Sequence, residues 1–149
     1  MAAAVALAGC SVQYPFDGAR FCFASMDEAD KLKSVLNSVS KTHELSFVDD
    51  SIGVRKDLVM LESPLADQPI IYLLIDDDAW FPASGPIMIS NLGASSPRDV
   101  RVSFFQMTSW FGSNAKTDEI ASDVKTALSK NWTLAGYTGS KPEDEAPRC

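Results

Sequence analysis

Few side chains in this sequence have the chemistry to act on a substrate. His43 is the single histidine, so any Ser-His-Asp or Cys-His relay must run through it. No G-x-S-x-G elbow accompanies it. Its place at the end of a helical stretch suits a residue that caps carbonyls and complements the helix dipole. Carboxylates cluster as Asp49-Asp50 and as Asp76-Asp77-Asp78. Such oxygens can hold Ca²⁺, but the D-x-[DN]-x-[DN]-G spacing is missing, and neighbours on an extended chain point to opposite sides. Both runs read as solvated turns. Close carboxylates also run glycoside hydrolysis, but nothing here supplies the rest of a sugar cleft. Zinc needs several Cys or His ligands, and Cys22, His43 and Cys149 are widely spaced. No G-x-G-x-x-G or Walker loop supports a nucleotide. The expectation is a chain with no catalytic residue, no metal and no cofactor.

A repeated dipeptide is the more suggestive feature. Trp80-Phe81 and Trp110-Phe111 each come just after a predicted strand, and Pro82 and Gly112 follow them. If both pairs sit at the same edge of a sheet, they form an exposed aromatic patch of the kind that meets partners, ligands or a membrane interface. The alternative is that the rings fold back over the open end of the core.

These residues must be carried by a small mixed fold. Arg20 to Ala24 reads as a strand with Phe21 and Phe23 on one face. Ser25 and Glu28 form the S-x-x-E pattern of a capping box. The stripe Met26, Ala29, Leu32, Val35, Leu36, Val39 then predicts an amphipathic helix. Leu45 and Phe47 alternate with polar neighbours, and Asp57–Glu62 reads as a strand stopped by Pro64. The apolar run Ile70–Ile75 reads as a central strand buried on both faces. Pro86–Ser90 and Asp99–Met107 complete the strands. Ile120, Ala121, Val124, Ala127 and Leu128 mark a second helix ending near Asn131, after which Trp132 and Leu134 pack or form a short strand. Consecutive strands with short links give an antiparallel meander. The fold class is therefore α+β, an antiparallel sheet of four to five strands with two amphipathic helices on one face.

Composition bounds the rest. A chain of 149 residues with 46% apolar and 22% charged side chains makes one globular domain with a sizeable core. The net charge of −7 argues against nucleic acid, whose phosphates demand a basic face. No run of about 18 apolar residues exists to span a bilayer. Residues 138–149 are polar, with Pro142, Pro147 and Glu143-Asp144-Glu145, and read as a disordered tail.

The first ten residues are apolar and uncharged and end at Cys10. Leu7-Ala8-Gly9-Cys10 resembles the lipobox of bacterial lipoproteins: an aliphatic residue, two small residues and an obligatory cysteine. The resemblance implies cleavage before Cys10 and acylation of its thiol. It divides the chain into a signal segment 1–9, a tether 10–18, a domain 19–137 and the tail. A signal peptide opens with a basic segment, and none precedes Arg20, so the true leader is expected to begin upstream. The resemblance places the protein in the cell envelope, anchored to a membrane through Cys10 and facing the periplasm. Ser11, not Asp, after the cysteine implies the outer membrane, if the cell is Gram-negative. Setting Cys10 aside leaves Cys22 and Cys149, which an oxidising compartment would let bond. Cys22, between Phe21 and Phe23, better suits a small buried core residue.

The function expected is that of a non-catalytic binding or assembly-accessory domain with an unidentified envelope protein or ligand as partner. The alternative is a carrier or sensor of a small ligand on the open sheet face, with an unrecognised enzyme a distant third.

Overall fold

Side chains alternate across each strand of an antiparallel sheet, so register decides which residues share a face. A computed structural model describes residues 15–76, 87–105, 115–136 and Cys149. The strands β1 (Pro15–Cys22), β2 (Ser46–Asp49), β3 (Tyr72–Asp76), β4 (Ile87–Ser90), β5 (Asp99–Phe105) and β6 (Ala135–Gly136) form one sheet in the order β2-β3-β4-β5-β1-β6. Every neighbouring pair is antiparallel. The helices are α1 (Glu28–Thr42), α2 (Ser51–Met60) and α3 (Ala115–Ser129), with a 3₁₀ turn at Pro64–Asp67. The class is the α+β fold that the sequence pattern implies.

One sheet face is apolar. Phe21 lies opposite Val100, Ala19 opposite Val102, Ile89 opposite Val102 and Leu73 opposite Ile89. These residues form the core with Leu32 and Leu36 of α1 and Ile120, Ala121, Val124 and Leu128 of α3. The two amphipathic helices thus pack against each other and on the same face. Trp132, just beyond α3, closes the core by stacking on Phe21 at 5.1 Å between ring centroids and meeting Phe23 at 5.8 Å.

Several elements differ from the sequence pattern. The Asp57–Glu62 stretch is the end of α2 and the turn after it, not a strand. Leu58 and Met60, with Arg55 and Lys56 just before them, favour a helix, and β2 pairs directly with β3, leaving no slot for a strand between them. The run from Ile70 enters the sheet only at Tyr72. There Leu73 and Ile75 are buried while Tyr72 and Leu74 are half-buried. It is therefore covered fully on one face, as an antiparallel strand allows, and lies beside the edge strand β2. Asn91 stops it early: the side-chain oxygen accepts from the Ile71 N–H, and the side-chain amide donates to the Pro69 carbonyl. The first helix begins at Glu28, later than Ser25. The Glu28 carboxylate accepts from the Ala24 N–H at 2.7 Å, one residue short of the reciprocal box. The first strand starts at Pro15, inside the stretch read as a tether. The two-residue β6 after Leu134 brings the strands to six among the described residues.

Candidate functional site

Alternation that sends Ala19 and Phe21 into the core sends Arg20 and Cys22 to the other face of β1. Register then builds a polar cluster there. Arg20 sits directly opposite Arg101, Cys22 opposite Asp99, and Ser90 of β4 opposite Arg101. Like charges facing each other across a ladder repel, and Asp99 offsets this. Its carboxylate accepts from Arg20 Nε at 2.6 Å and Nη2 at 2.5 Å, and lies 3.7 Å from Arg101 Nη2. The Asp99 side chain is 0% exposed. A buried carboxylate held by a two-point guanidinium fork is geometrically specific. With its carboxylate bonded by arginine, the cluster is suited to fixing the strands.

Beside it, Cys22 and Cys149 are joined by a disulfide with their Cα atoms 5.6 Å apart. A second tie holds the same chain end. Arg98 Nη2 donates to the Cys149 carbonyl at 2.7 Å and Nη1 to the Ala24 carbonyl at 3.1 Å, while the Phe23 N–H donates to the Arg98 carbonyl. The last residue of the polar tail is therefore fastened to the sheet, where sequence pattern alone reads it as disordered. A cleft of about 400 Å³ opens next to the bond, lined by Cys22, Ala24, Glu28, Asn131, Trp132 and Thr133. Its volume is at the lower end of small-molecule pockets.

The chemistry-bearing residues singled out in the sequence do not gather here. His43 caps the C-terminus of α1, and its Nε2 lies 2.8 Å from Asp123 Oδ2 of α3, joining the two helices of the core face. Asp49 ends β2, and Asp50 precedes the first turn of α2. Asp76 ends β3, while Asp77 and Asp78 lie outside the described residues. Among the described residues no group of three or more His, Cys, Asp or Glu is placed to hold a metal ion. Cys10, Trp80, Phe81, Trp110 and Phe111 also lie outside the described residues. The strands that lead to the two doublets nevertheless stop at the same end of the sheet. Ile75 pairs with Ile87 and Ile87 with Phe104, so Asp76 and Phe105 are at the end where β1 begins.

The surroundings of Asp49 change its titration. Burial alone would push its carboxyl up. The hydrogen bonds from the Lys33 ammonium and from the Ser51 hydroxyl and N–H outweigh this and hold it below the ordinary carboxylate value. A carboxyl lowered by folding stabilises the fold above its unfolded pKa, and the gain is lost as pH falls through the folded value. The window therefore lies below about pH 4. In urea unfolding, Asp49→Asn is expected to be less stable than the native chain at neutral pH, with the gap closing in this window. The gap stays modest, because the Asp49 side chain is 34% exposed. A gap independent of pH would assign the loss to packing instead.

Sequence pattern overlooked Arg20, Arg98, Asp99 and Arg101. The only signal available was that Arg20 and Cys22, like Asp99 and Arg101, occupy the non-core positions of alternating strands. No family model, no curated protein and no solved structure matches this chain.

Proposed function

We propose that the chain is an exported lipoprotein, acylated at Cys10 and held on a bacterial envelope membrane, whose α+β domain binds a partner without catalysis. The observation that carries this reading is the Cys22–Cys149 bond, which ties residues separated by 127 positions. Such bonds persist in oxidising compartments and are rare in the cytosol. The chain has three cysteines. Two are spent on the bond, so the odd one is Cys10, the residue that closes the lipobox-like Leu7-Ala8-Gly9-Cys10. One acyl chain holds a protein only marginally and several hold it stably, which suits a domain kept at a surface without a spanning helix.

The proposed contact for a protein partner is the aromatic set Trp80, Phe81, Trp110 and Phe111. The described strands leading to both doublets end where β1 starts, which supports a shared location. A ligand carrier on the open sheet face is less favoured. That face carries Arg20, Asp99 and Arg101 on β1 and β5 beside Val48, Tyr72, Leu74 and Met88 on β2 to β4, so charge interrupts its apolar part.

Intact mass measurement of the protein from its native host tests the address. The expected product begins at Cys10 with acyl chains attached, and Cys10→Ala is expected to stay uncut and to leave the membrane fraction. A native protein that carries residues 1–9 and no acyl group would remove the reading. For the partner contact, Trp80→Ser with Trp110→Ser is expected to keep the unfolding midpoint and to lose envelope cross-links. Loss of the fold would show these residues to be core.

A further inference from the structure

Arg98 grips Cys149 from a fixed base. Its backbone N–H donates to Ser96 Oγ at 3.2 Å, and its carbonyl accepts from the Phe23 N–H at 2.9 Å. The Asn91 side-chain amide holds the preceding carbonyl, that of Pro97, at 2.8 Å. The next residue, Asp99, begins β5 and pairs with Cys22. One guanidinium thus joins Ala24, just past β1, to Cys149. Cys149 is held twice, through its carbonyl by Arg98 and through its sulfur by Cys22. Two ties on one residue reinforce each other, because making either raises the effective concentration for the other.

The bond is also within reach of a reagent. Cys22 and Cys149 are half-buried, and Cys22 lines the cleft of about 400 Å³. Neither cysteine belongs to the apolar core. Gly136 pairs with Ala19, on the same strand as Cys22. In the folded domain the bond therefore closes only the stretch from Gly136 to Cys149, although it spans 127 positions of the chain. Opening it leaves the strand pairing in place.

We propose that Cys22–Cys149 is a reversible thiol switch and that Arg98 is the positioning residue that returns Cys149 to Cys22. A thiolate entering the cleft attacks Cys22 Sγ, the S–S bond breaks, and Cys149 leaves as a thiolate. Where the entering group is half of a dithiol, its second thiolate attacks the mixed disulfide and releases Cys22. The dithiol ends as a disulfide, and the two cysteines gain two electrons and two protons. Closure is the reverse, with an external disulfide as oxidant. A monothiol brings no second group, and Cys149, kept within reach by Arg98, expels it. The clamp therefore makes the switch answer to dithiols and resist monothiols.

The full chain carrying Cys10→Ser tests this without denaturant, with free thiols trapped by a maleimide and counted by intact mass. Dithiothreitol is expected to open the bond at a rate proportional to its concentration, with far-UV circular dichroism unchanged. In mixtures of reduced and oxidised glutathione, Arg98→Ala is expected to lower the closure constant about ten-fold, the worth of the lost hydrogen bonds. The same variant should accumulate the mixed disulfide with glutathione. Arg98→Lys keeps the cation without the fork and should fall between the two; it carries the comparison if the alanine variant does not fold. An Arg98 that only supports the sheet would lower the unfolding midpoint equally in the oxidised chain and in a Cys22→Ser, Cys149→Ser background. It would leave the closure constant unmoved, and that pair of results overturns the proposal. So does an opening rate that ignores the dithiothreitol concentration, since the bond would then be reached only by unfolding. None of these failures bears on acylation of Cys10, which the mass measurement on the native protein reads separately.

Discussion

Reducing the Cys22–Cys149 bond is expected to destabilise the domain by up to about 5 kcal/mol. The bond closes a loop of 127 residues, and the chain-entropy model places loops of that length near this value. Much of a single domain's whole stability, about 5–15 kcal/mol, is at stake. The check is urea unfolding of the oxidised chain, the reduced chain and a Cys22→Ser, Cys149→Ser double variant, with Cys10→Ser in all three to prevent exchange. The midpoint should fall together in the reduced and double-serine forms, and the melting temperature should drop by about 10–20 °C. Arg98 holds the Cys149 carbonyl independently of the sulfur bond, so the chain end has a weaker second tie that reduction leaves in place. A loss below about 1 kcal/mol would mean that the reduced unfolded chain is already compact. The size of the effect links stability to address. A domain that depends on this bond reaches full stability only where the bond can form.

How much of this was legible depends on the distance over which each feature is encoded. The helices α1 and α3 were legible because their stripes, Leu32–Leu36 and Ile120–Val124–Leu128, lie within one element. β5 was legible for the same reason, since Val100, Val102 and Phe104 alternate with Arg101 and Ser103. The α2 segment was misread because Leu58-Val59-Met60-Leu61 is an apolar block without period, and its Val59, Met60 and Leu61 turned out to face water, not a core. Pattern reading assumes that apolar means buried, and the assumption fails where apolar side chains face water. The polar cluster was invisible for a different reason. Arg20 and Asp99 are 79 positions apart, and each alone looks like an outward polar residue of an edge-like strand. Only the β1–β5 register brings them together, and register is a property of the pair of strands. The disulfide was open as an arithmetic possibility once Cys10 was set aside. The flanking phenylalanines favoured its alternative, a buried thiol at Cys22, which the bond corrects.

That register also sets the second large effect. Arg20→Ala is expected to cost about 3–5 kcal/mol, the range for removing one partner of a buried ion pair. The Asp99 side chain is 0% exposed, so it cannot turn to water, and the remaining cation, Arg101, approaches only to 3.7 Å. Asp99→Ala should be comparably harmful, because Arg20 and Arg101 are then left facing each other across the ladder. Arg20→Met combined with Asp99→Leu should recover much of the loss, since neither a buried charge nor its desolvation remains. The measurable quantity is the coupling energy of the cycle, expected at about 3 kcal/mol or more, the upper end for groups in direct contact. Arg20→Lys separates charge from geometry: it keeps the cation but loses the fork that meets both carboxylate oxygens, so its loss should fall between native and alanine. Urea unfolding of the four corners and the lysine variant reads all of these. A coupling below about 0.5 kcal/mol would mean that the fork is dispensable and that Asp99 is held by its other neighbours. A large coupling with lysine as poor as alanine would mean that the sheet at this point is fixed by bond direction more than by charge.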